Sequence, residues 1–400
     1  MTAPTPRPAF FGDPALRAVL AALPRARVVG GAVRDTLAGR AVSDLDLATP
    51  DPPEAVIAAL DAAGLKHAPT GLQHGTVTAI SGGRGFEVTT LRRDERTDGR
   101  HAEVAWTDDW TEDAARRDFT INAMSMQPDG TVFDYFDGRA DLAAGRVRFV
   151  GDPAARIAED YLRILRFYRF HGRYARTAPD AGTARAIAEG TPGLAQLSAE
   201  RVWSELKRIL LLPDPAPTLR LMQQLGTLGA ILPGTSSSDA VGRLVRAGAP
   251  ADPVLRLAAL QPGASAAGIA ERFRLSRAEA AELAALDGPA PDAAWDDDAL
   301  RRALADTAPA TLAGRAWLQG GDAGLLARIA ALPRPVFPLQ GRDLLRLGLP
   351  PGPALGEHLA ALRGWWLAGG CAADAAACQA ELAARLALPP GTKLASAARD

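Results

Sequence analysis

Apolar positions along this chain change period once. In the first part short alternating runs are interleaved with helical spacing, and from Ser198 onward three-to-four spacing continues helix after helix. Pro14 to Leu23 predicts an amphipathic helix, Arg27 to Val29 a strand, and Ala32 to about Leu37 a short helix after a turn at Gly30-Gly31. A second strand is expected to carry Asp44-Leu45-Asp46, both carboxylates on one face and Leu45 and Leu47 turned into a core. Pro50 to Pro53 reads as a turn and Glu54 to Ala63 as a helix with Val56, Ile57 and Leu60 inward. His74 to Ile80 and Phe86 to Leu91 pair as a hairpin across Ser81 to Gly85, with Glu87 on its polar face. Arg93 to Thr107 is charged and reads as a surface loop, Arg116 to Ala123 as a helix start. Asp134, Gly138 and Asp141 are expected to shape turns and caps between Phe133 and Arg148. Ala154 to Arg173 predicts one continuous helix opened by Pro153, with Ile157, Tyr161, Ile164, Leu165 and Tyr168 facing a core.

Chemistry concentrates between Val28 and Thr49. Asp44 and Asp46 at strand spacing offer hard oxygen donors suited to a cation such as Mg²⁺. Gly30 and Gly31 let backbone N–H groups approach an anion at a helix start, and Arg34, one turn in, reaches a second phosphate oxygen. Either half alone fits an ordinary strand end or turn; together they place a phosphate cradle and metal carboxylates within one short unit. Farther on, Asp160 and Arg163 are three apart and so neighbours on a helix face. Cytosine and adenine each present an amino donor beside a ring-nitrogen acceptor, whereas uracil and guanine present the reverse. An Asp acceptor next to an Arg donor therefore fits the first two and leaves unpaired groups against the others, at about 1–3 kcal/mol each. An ordinary surface ion pair is the alternative at that spacing.

Composition narrows the classes. Four hundred residues, 48% hydrophobic, support a sizeable core and two to four domains. A net charge of −1 excludes a uniformly basic nucleic-acid binder, so any nucleic-acid contact has to come from local patches such as the stripe Arg156, Arg166, Arg169 and Arg173. Arg outnumbers Lys because only Lys66, Lys207 and Lys393 are lysines, and with Ala also heavily used a GC-rich genome accounts for it. Cys371 and Cys378 are the only cysteines; seven apart on a helix they lie about 10 Å apart, too far to bridge. With no CxxC pair for zinc and no signal peptide or membrane-length apolar run, the expected compartment is a reducing cytoplasm.

The order of these motifs resembles a family. GGAVRD (Gly30 to Asp35), then DLD nine residues after Asp35, is similar to the nucleotidyltransferase superfamily, and in this form to the class II tRNA nucleotidyltransferase and bacterial poly(A) polymerase family. FEVTTLR (Phe86 to Arg92), RRDFTINA (Arg116 to Ala123), FDYFDGRADLAAGRVR (Phe133 to Arg148) and EDYLR (Glu159 to Arg163) resemble its further signatures, as does LPDPAPTLRLMQQLGTLGAILP its helical neck and body. The resemblance implies an α+β chain with a polymerase-beta-like α/β head (1–138) followed by all-α neck (139–212), body (213–290) and tail (291–400). It makes Glu87 the third metal carboxylate, a position that by spacing alone equally suits a cross-strand partner of an Arg. Arg117, Asp118 and Asn122 become ribose and triphosphate contacts, the Arg93 to Thr107 loop a nucleotide-arranging element, and Asp160, Arg163 and Arg166 nucleotide-binding residues.

The activity implied is template-independent addition of CCA to the 3′ end of tRNA from CTP and ATP, with poly(A) synthesis or partial CC or A addition as the near alternative. An RNA-binding module with an inactive head is the alternative from another class. Arg169, Arg173, Gly348 and Gly352 are candidate RNA contacts. The last two sit in LLRLGLPPGPALGEHLAAL (Leu344 to Leu362), which resembles the family's C-terminal signature and a helix-hairpin-helix and equally fits a tight αα-turn. No HD pair occurs, which speaks against a phosphohydrolase-type appendage, and the sequence leaves monomer or homodimer open.

Overall fold

The computed structural model describes residues 7–97, 102–234 and 238–386. By internal contact the chain forms two compact units, Met1–Ser238 and Asp239–Asp400. In the first, helix α1 (Pro14–Ala22), N-capped by Asp13, leads into β1 (Arg27–Val29) and α2 (Gly31–Leu37). There follow β2 (Leu47–Thr49), α3 (Pro53–Ala62), β3 (Lys66–Gly71), β4 (Thr76–Ser81) and β5 (Arg84–Thr90). Strands β6 (Arg92–Thr97) and β7 (Ala102–Trp106) pair antiparallel as a sheet of their own. Then come α4 (Trp110–Ala115), β8 (Met124–Met126), β9 (Val132–Asp134), α5 (Gly138–Ala144), α6 (Pro153–Glu159), α7 (Leu162–Tyr174), α8 (Ala181–Gly190), α9 (Ala199–Leu210), α10 (Ala216–Gln224) and α11 (Thr227–Ile231).

The main sheet is mixed, in the order β3-β4-β5-β2-β1-β8-β9, with β2 and β5 its parallel neighbours. Its buried face is built from Val28, Leu47, Val77, Phe86 and Val88, each 1% exposed or less. Hydrophobic alternation placed β1, β4 and β5 correctly, whereas β8 and β9, three residues each, are too short to show a period. The charged segment expected as a loop is instead β6 and β7, its residues 98–101 lying outside the described residues.

Helix α7 is joined to the head by aromatic packing. Phe119 meets Phe149 and Phe170 at centroid distances of 4.9 and 5.2 Å, and Phe149 stacks on Phe167 at 5.8 Å. Of the turn-and-cap roles expected between Phe133 and Arg148, that of Asp134 holds, while Asp141 is instead a buried ion-pair centre. Asp134 accepts from the Gly138 and Arg139 N–H groups, and fully buried Asp141 accepts from Thr120, Arg146 and Arg148. At Gly138 a Cβ would lie 2.2 Å from the Thr120 carbonyl oxygen, so only glycine lets α5 approach there.

The second unit is helical throughout its described residues, from Asp239–Arg246 to Ala375–Arg385. One cluster packs Leu300, Leu304, Leu312, Leu325 and Ile329; another gathers Leu344, Leu362, Trp366, Cys378 and Leu382. Helix Gly341–Arg346, a turn and helix Pro353–Ala368 reproduce the late helix-turn-helix. Cys371 precedes helix Ala375–Arg385 rather than sharing it with Cys378, and both thiols are unbridged. No helix among the described residues is long and apolar enough to cross a membrane.

Candidate active site

A cleft of about 380 Å³ opens in the first unit, a size ordinary for small-molecule sites. It is lined by Gly30, Gly31 and Arg34 of the first motif, Asp46 of the second, Arg117, Asp118 and Asn122 of the third, and Asp160, Arg163 and Arg166 of the fourth. Four stretches separated by up to 136 positions therefore meet at one concavity (from Gly30 to Arg166). Arg116 and Phe170 complete the wall.

The local fold explains the placement. Strand β1 ends at Gly30, whose φ of +64° turns the chain into α2, and a Cβ there would meet Arg117 Nη1 at 3.0 Å. The Gly30 N–H donates to Met124 O at 3.1 Å, so any anion contact from this turn falls to the first residues of α2. Because β1 stops there, the partner strand is shorter than expected. It begins at Leu47, and Asp44-Leu45-Asp46 forms the irregular segment running into it rather than the strand itself. Only the Asp46 carbonyl is held, by Val29 N–H at 3.0 Å, while Leu45 is half-buried and Asp44 Oδ2 accepts from Ser43 Oγ at 2.9 Å.

Leu47 pairs with Val88 in parallel register, so the residue before each, Asp46 and Glu87, face one another at the same level. Glu87 is exposed on β5 and its register partner on β4 is Thr78, not an arginine. Burial pushes the Asp46 carboxyl above its ordinary value, Glu87 and Asp44 push it further, and Arg117 opposes them. The three carboxylates thus share one field. Among the described residues, however, no three His, Cys, Asp or Glu side chains are gathered tightly enough to clasp an ion. The donor set, oxygen only and mutually repelling, is the kind that a hard divalent cation relieves.

RRDFTINA is a helix end rather than a helix start: α4 stops at Ala115, and Thr120–Asn122 is a 3₁₀ turn. Nearly buried Asp113 anchors both arginines, Arg116 at 2.7 Å and Arg117 at 3.2 Å. Asp118 Oδ2 accepts from Arg166 Nε and Nη2 at 2.8 and 2.6 Å, and its Oδ1 from Phe119 N and Asn122 Nδ2 at 2.9 and 3.0 Å. Burial alone would raise the Asp118 carboxyl, but Arg166 and these donors hold it below the usual range. Its acceptor positions are filled, so a ribose hydroxyl would have to displace one donor. Asn122 Oδ1 accepts from Arg34 Nη1, and the Arg34 guanidinium lies 4.6 Å from the Tyr174 ring centre and 5.1 Å from that of Phe170.

The helix expected over Ala154 to Arg173 breaks where the base reader was placed. Helix α6 ends at Glu159, Asp160 is extended at φ −157° and ψ 106°, and α7 begins at Leu162. Asp160 Oδ1 accepts from Leu162 N–H at 3.1 Å, substituting for the helix bond lost there. Asp160 and Arg163 both line the cleft; the Arg163 N–H donates to the Asp160 carbonyl at 3.0 Å, but their side chains engage other partners. Asp160 Oδ2 accepts from Arg201 Nη2 of α9 at 2.8 Å; Arg163 donates to Glu159 and to the Arg156 carbonyl. Arg201 carried no sequence signal beyond a charged helix face.

Other expected contacts lie elsewhere. Arg169, read as an RNA contact, donates to buried Glu205 Oε2 at 2.7 Å, where Arg208 also binds and Arg166 Nη1 stands 3.7 Å away. Its guanidinium is bound to a carboxylate, which a like-charge stripe along one helix does not reveal. Arg173 is exposed at the end of α7. Gly348 and Gly352 are exposed in the second unit, outside the lining of this cleft.

The chain is similar to known proteins of one family. Residues 26–148 match the family model described as poly A polymerase head domain, and residues 178–238 that described as probable RNA and SrmB-binding site of polymerase A. The mouse protein CCA tRNA nucleotidyltransferase 1, mitochondrial, is 38% identical over 358 residues, covering 85% of this chain and 82% of its own. The CCA-adding enzyme of Geobacillus stearothermophilus is 40% identical over 222 residues, 55% of this chain and 53% of that protein. The crystal structure of the Bacillus stearothermophilus CCA-adding enzyme in complex with CTP superposes with a TM-score of 0.74 at 28% identity, covering 94% of this chain and 98% of that one.

Proposed function

The chain belongs to the class II tRNA nucleotidyltransferase and bacterial poly(A) polymerase family, and from that premise we propose that it adds CCA to the 3′ end of tRNA from CTP and ATP without a template. The observation that carries the reading is the meeting of Asp160 and Arg163 with Asp46, Arg117 and Asp118 along one cleft. An acidic edge beside a paired base acceptor and donor is what transfer of an amino-bearing nucleotide needs.

In this reading the primer 3′-hydroxyl attacks the nucleotide α-phosphate and pyrophosphate leaves. Arg34 and Arg117, held by Asn122 and Asp113, receive the triphosphate. Asp118 keeps Arg166 and Asn122 in place beneath the ribose. Asp160 accepts from the amino group of cytosine or adenine with its remaining lone pairs while Arg163 donates to the ring nitrogen. Uracil and guanine present a carbonyl to Asp160, a repulsion the fixed geometry cannot relax.

Divalent-cation dependence accompanies the family, and Asp44, Asp46 and Glu87 would hold the ion, with Mg²⁺ the choice that oxygen-only donors favour. When bound, such an ion lowers the pKa of the attacking hydroxyl and neutralises phosphate charge. The two unbridged cysteines fit a reducing cytoplasm.

The test is incubation of the protein with labelled CTP or, separately, labelled ATP, on tRNA lacking its last three nucleotides and on tRNA lacking only its last. Incorporation of C that stops on chelation of divalent cations is expected. Incorporation from ATP but not CTP would make the chain a poly(A) polymerase or an A-adding enzyme, and none from either an RNA-binding module.

A further inference from the structure

Arg34 lines the cleft from α2, yet its own helix does not fix its geometry. Its buried guanidinium forks onto Asp35, Nε to Oδ1 at 3.2 Å and Nη2 to Oδ2 at 3.0 Å, while Nη1 donates to Asn122 Oδ1. Consecutive residues on a helix point about 100° apart and do not face one another. Something outside α2 therefore has to hold the Asp35 carboxylate turned toward Arg34. That is done by Tyr174, the buried last residue of α7, whose hydroxyl donates to Asp35 Oδ1 and whose ring centre lies 4.6 Å from the Arg34 guanidinium. Burial first, then the bond to Asp35, raises the Tyr174 pKa, which keeps the phenol protonated as the donor. Arg166, Phe170 and Tyr174 recur every fourth position and share one face of α7; Phe170 and Tyr174 stack at 6.1 Å, and Arg34 lies against both rings. Each guanidinium nitrogen of Arg34 thus uses one N–H within the protein. The second N–H of Nη1 and of Nη2 has no partner among the described residues and is left for a phosphate oxygen.

We infer that Tyr174 is a positioning residue for the nucleotide: by holding Asp35 it sets the Arg34 guanidinium for the triphosphate, and from α7 it ties that contact to the helix that reads the base. The inference rests on the nucleotide-transfer reading above. Tyr174 is outside the cleft lining and outside the signature stretches, so it acts only through Asp35 and Arg34. Arg34 meets phosphate rather than base. Tyr174 therefore serves CTP and ATP alike and leaves base choice to Asp160 and Arg163. Its ring supplies packing, but only the hydroxyl reaches Asp35, so the loss of that one oxygen is the discriminating change.

The experiment is a double-mutant cycle on the full-length protein with Tyr174→Phe and Arg34→Ala, reading equilibrium binding of CTP, ATP and UTP together with the thermal midpoint of each variant. Tyr174→Phe keeps the ring and removes the hydroxyl. It is expected to weaken CTP and ATP alike by about three- to tenfold, the effect of one hydrogen bond, with the ratio of CTP to UTP affinity unchanged. In the Arg34→Ala background the same change is expected to have no further effect, because the group it positions is gone. Arg34→Lys, which keeps the charge and loses the fork, closes the cycle if Arg34→Ala does not fold. Native CTP and ATP affinity in Tyr174→Phe overturns the inference. So does a loss that persists in full once Arg34 is replaced, the mark of a merely structural role. A shifted CTP-to-UTP ratio also overturns it, since the effect would then lie at the base reader. If the unaltered protein binds neither CTP nor ATP, the nucleotide-transfer reading itself falls and takes this inference with it; binding by the unaltered protein that Tyr174→Phe leaves untouched strikes the inference alone.

Discussion

Asp160 sits in the one residue-long stretch of extended backbone between α6 and α7, and base choice in this account turns on where that places its carboxylate. Arg201 supplies the brace. Both partners are partly exposed, so the pair is worth at most about 1 kcal/mol, and Arg201→Ala is expected to lower kcat/KM for CTP less than about fivefold. Asp160→Ala removes the acceptor itself and should cost about 1–3 kcal/mol, with the preference for CTP over UTP collapsing. Steady-state kinetics with both nucleotides separate the two; a larger effect at Arg201 than at Asp160 would contradict the assignment. Asp118 gives a pH signature. Its folded pKa is depressed, so its contribution is complete above the ordinary value of about 3.9 and fades as pH falls through the lower folded value. The stability difference between the native chain and Asp118→Asn, read by urea unfolding, should be flat from about pH 8 to about pH 5 and shrink only below that. Residues within contiguous motifs were legible because their chemistry is local. Arg201 and Glu205 were not, since a charged position on α9 looks the same whether it faces water or a carboxylate on another helix.

Among the elements, the α6–α7 break is the feature that periodicity concealed. Ile157, half-buried Tyr161, Ile164, Leu165 and Tyr168 keep three-to-four spacing through it, and all but Tyr161 are buried, so the apolar pattern runs on while the backbone does not. Tyr161, at the break, lies against Gly193, where a Cβ would come within 2.2 Å of the ring. Gly193→Ala should therefore displace Tyr161 and with it the turn that aims Asp160. Overpacking of this kind costs about 1–3 kcal/mol. A lowered thermal midpoint with weakened CTP-over-UTP discrimination is expected, and a stable variant with native discrimination would show that the turn is set elsewhere. The strand expected to hold Asp44 and Asp46 was misplaced for a different reason. Its length depends on where β1 ends, and that is decided by the left-handed φ of Gly30 rather than by the strand's own residues. The charged segment before Trp106 pairs with itself as β6 and β7, a tertiary outcome that composition does not report.

At the level of the whole molecule, the head and the helices through α11 form one unit, and every residue of the nucleotide cleft belongs to it. The α+β class and the succession of helices were readable because alternation in the sheet and Ala/Leu spacing in the helices are both strong. The convergence of four distant motifs was readable only through their order, since no single spacing brings Asp46 beside Arg163. The account stands or falls on what that cleft selects. The most direct measurement is mass analysis of tRNA lacking its last three nucleotides after incubation with the protein, divalent cation and all four nucleoside triphosphates. The account predicts growth by C, C and A, in that order, and then arrest. Incorporation of U or G, or a run of A alone, would contradict it.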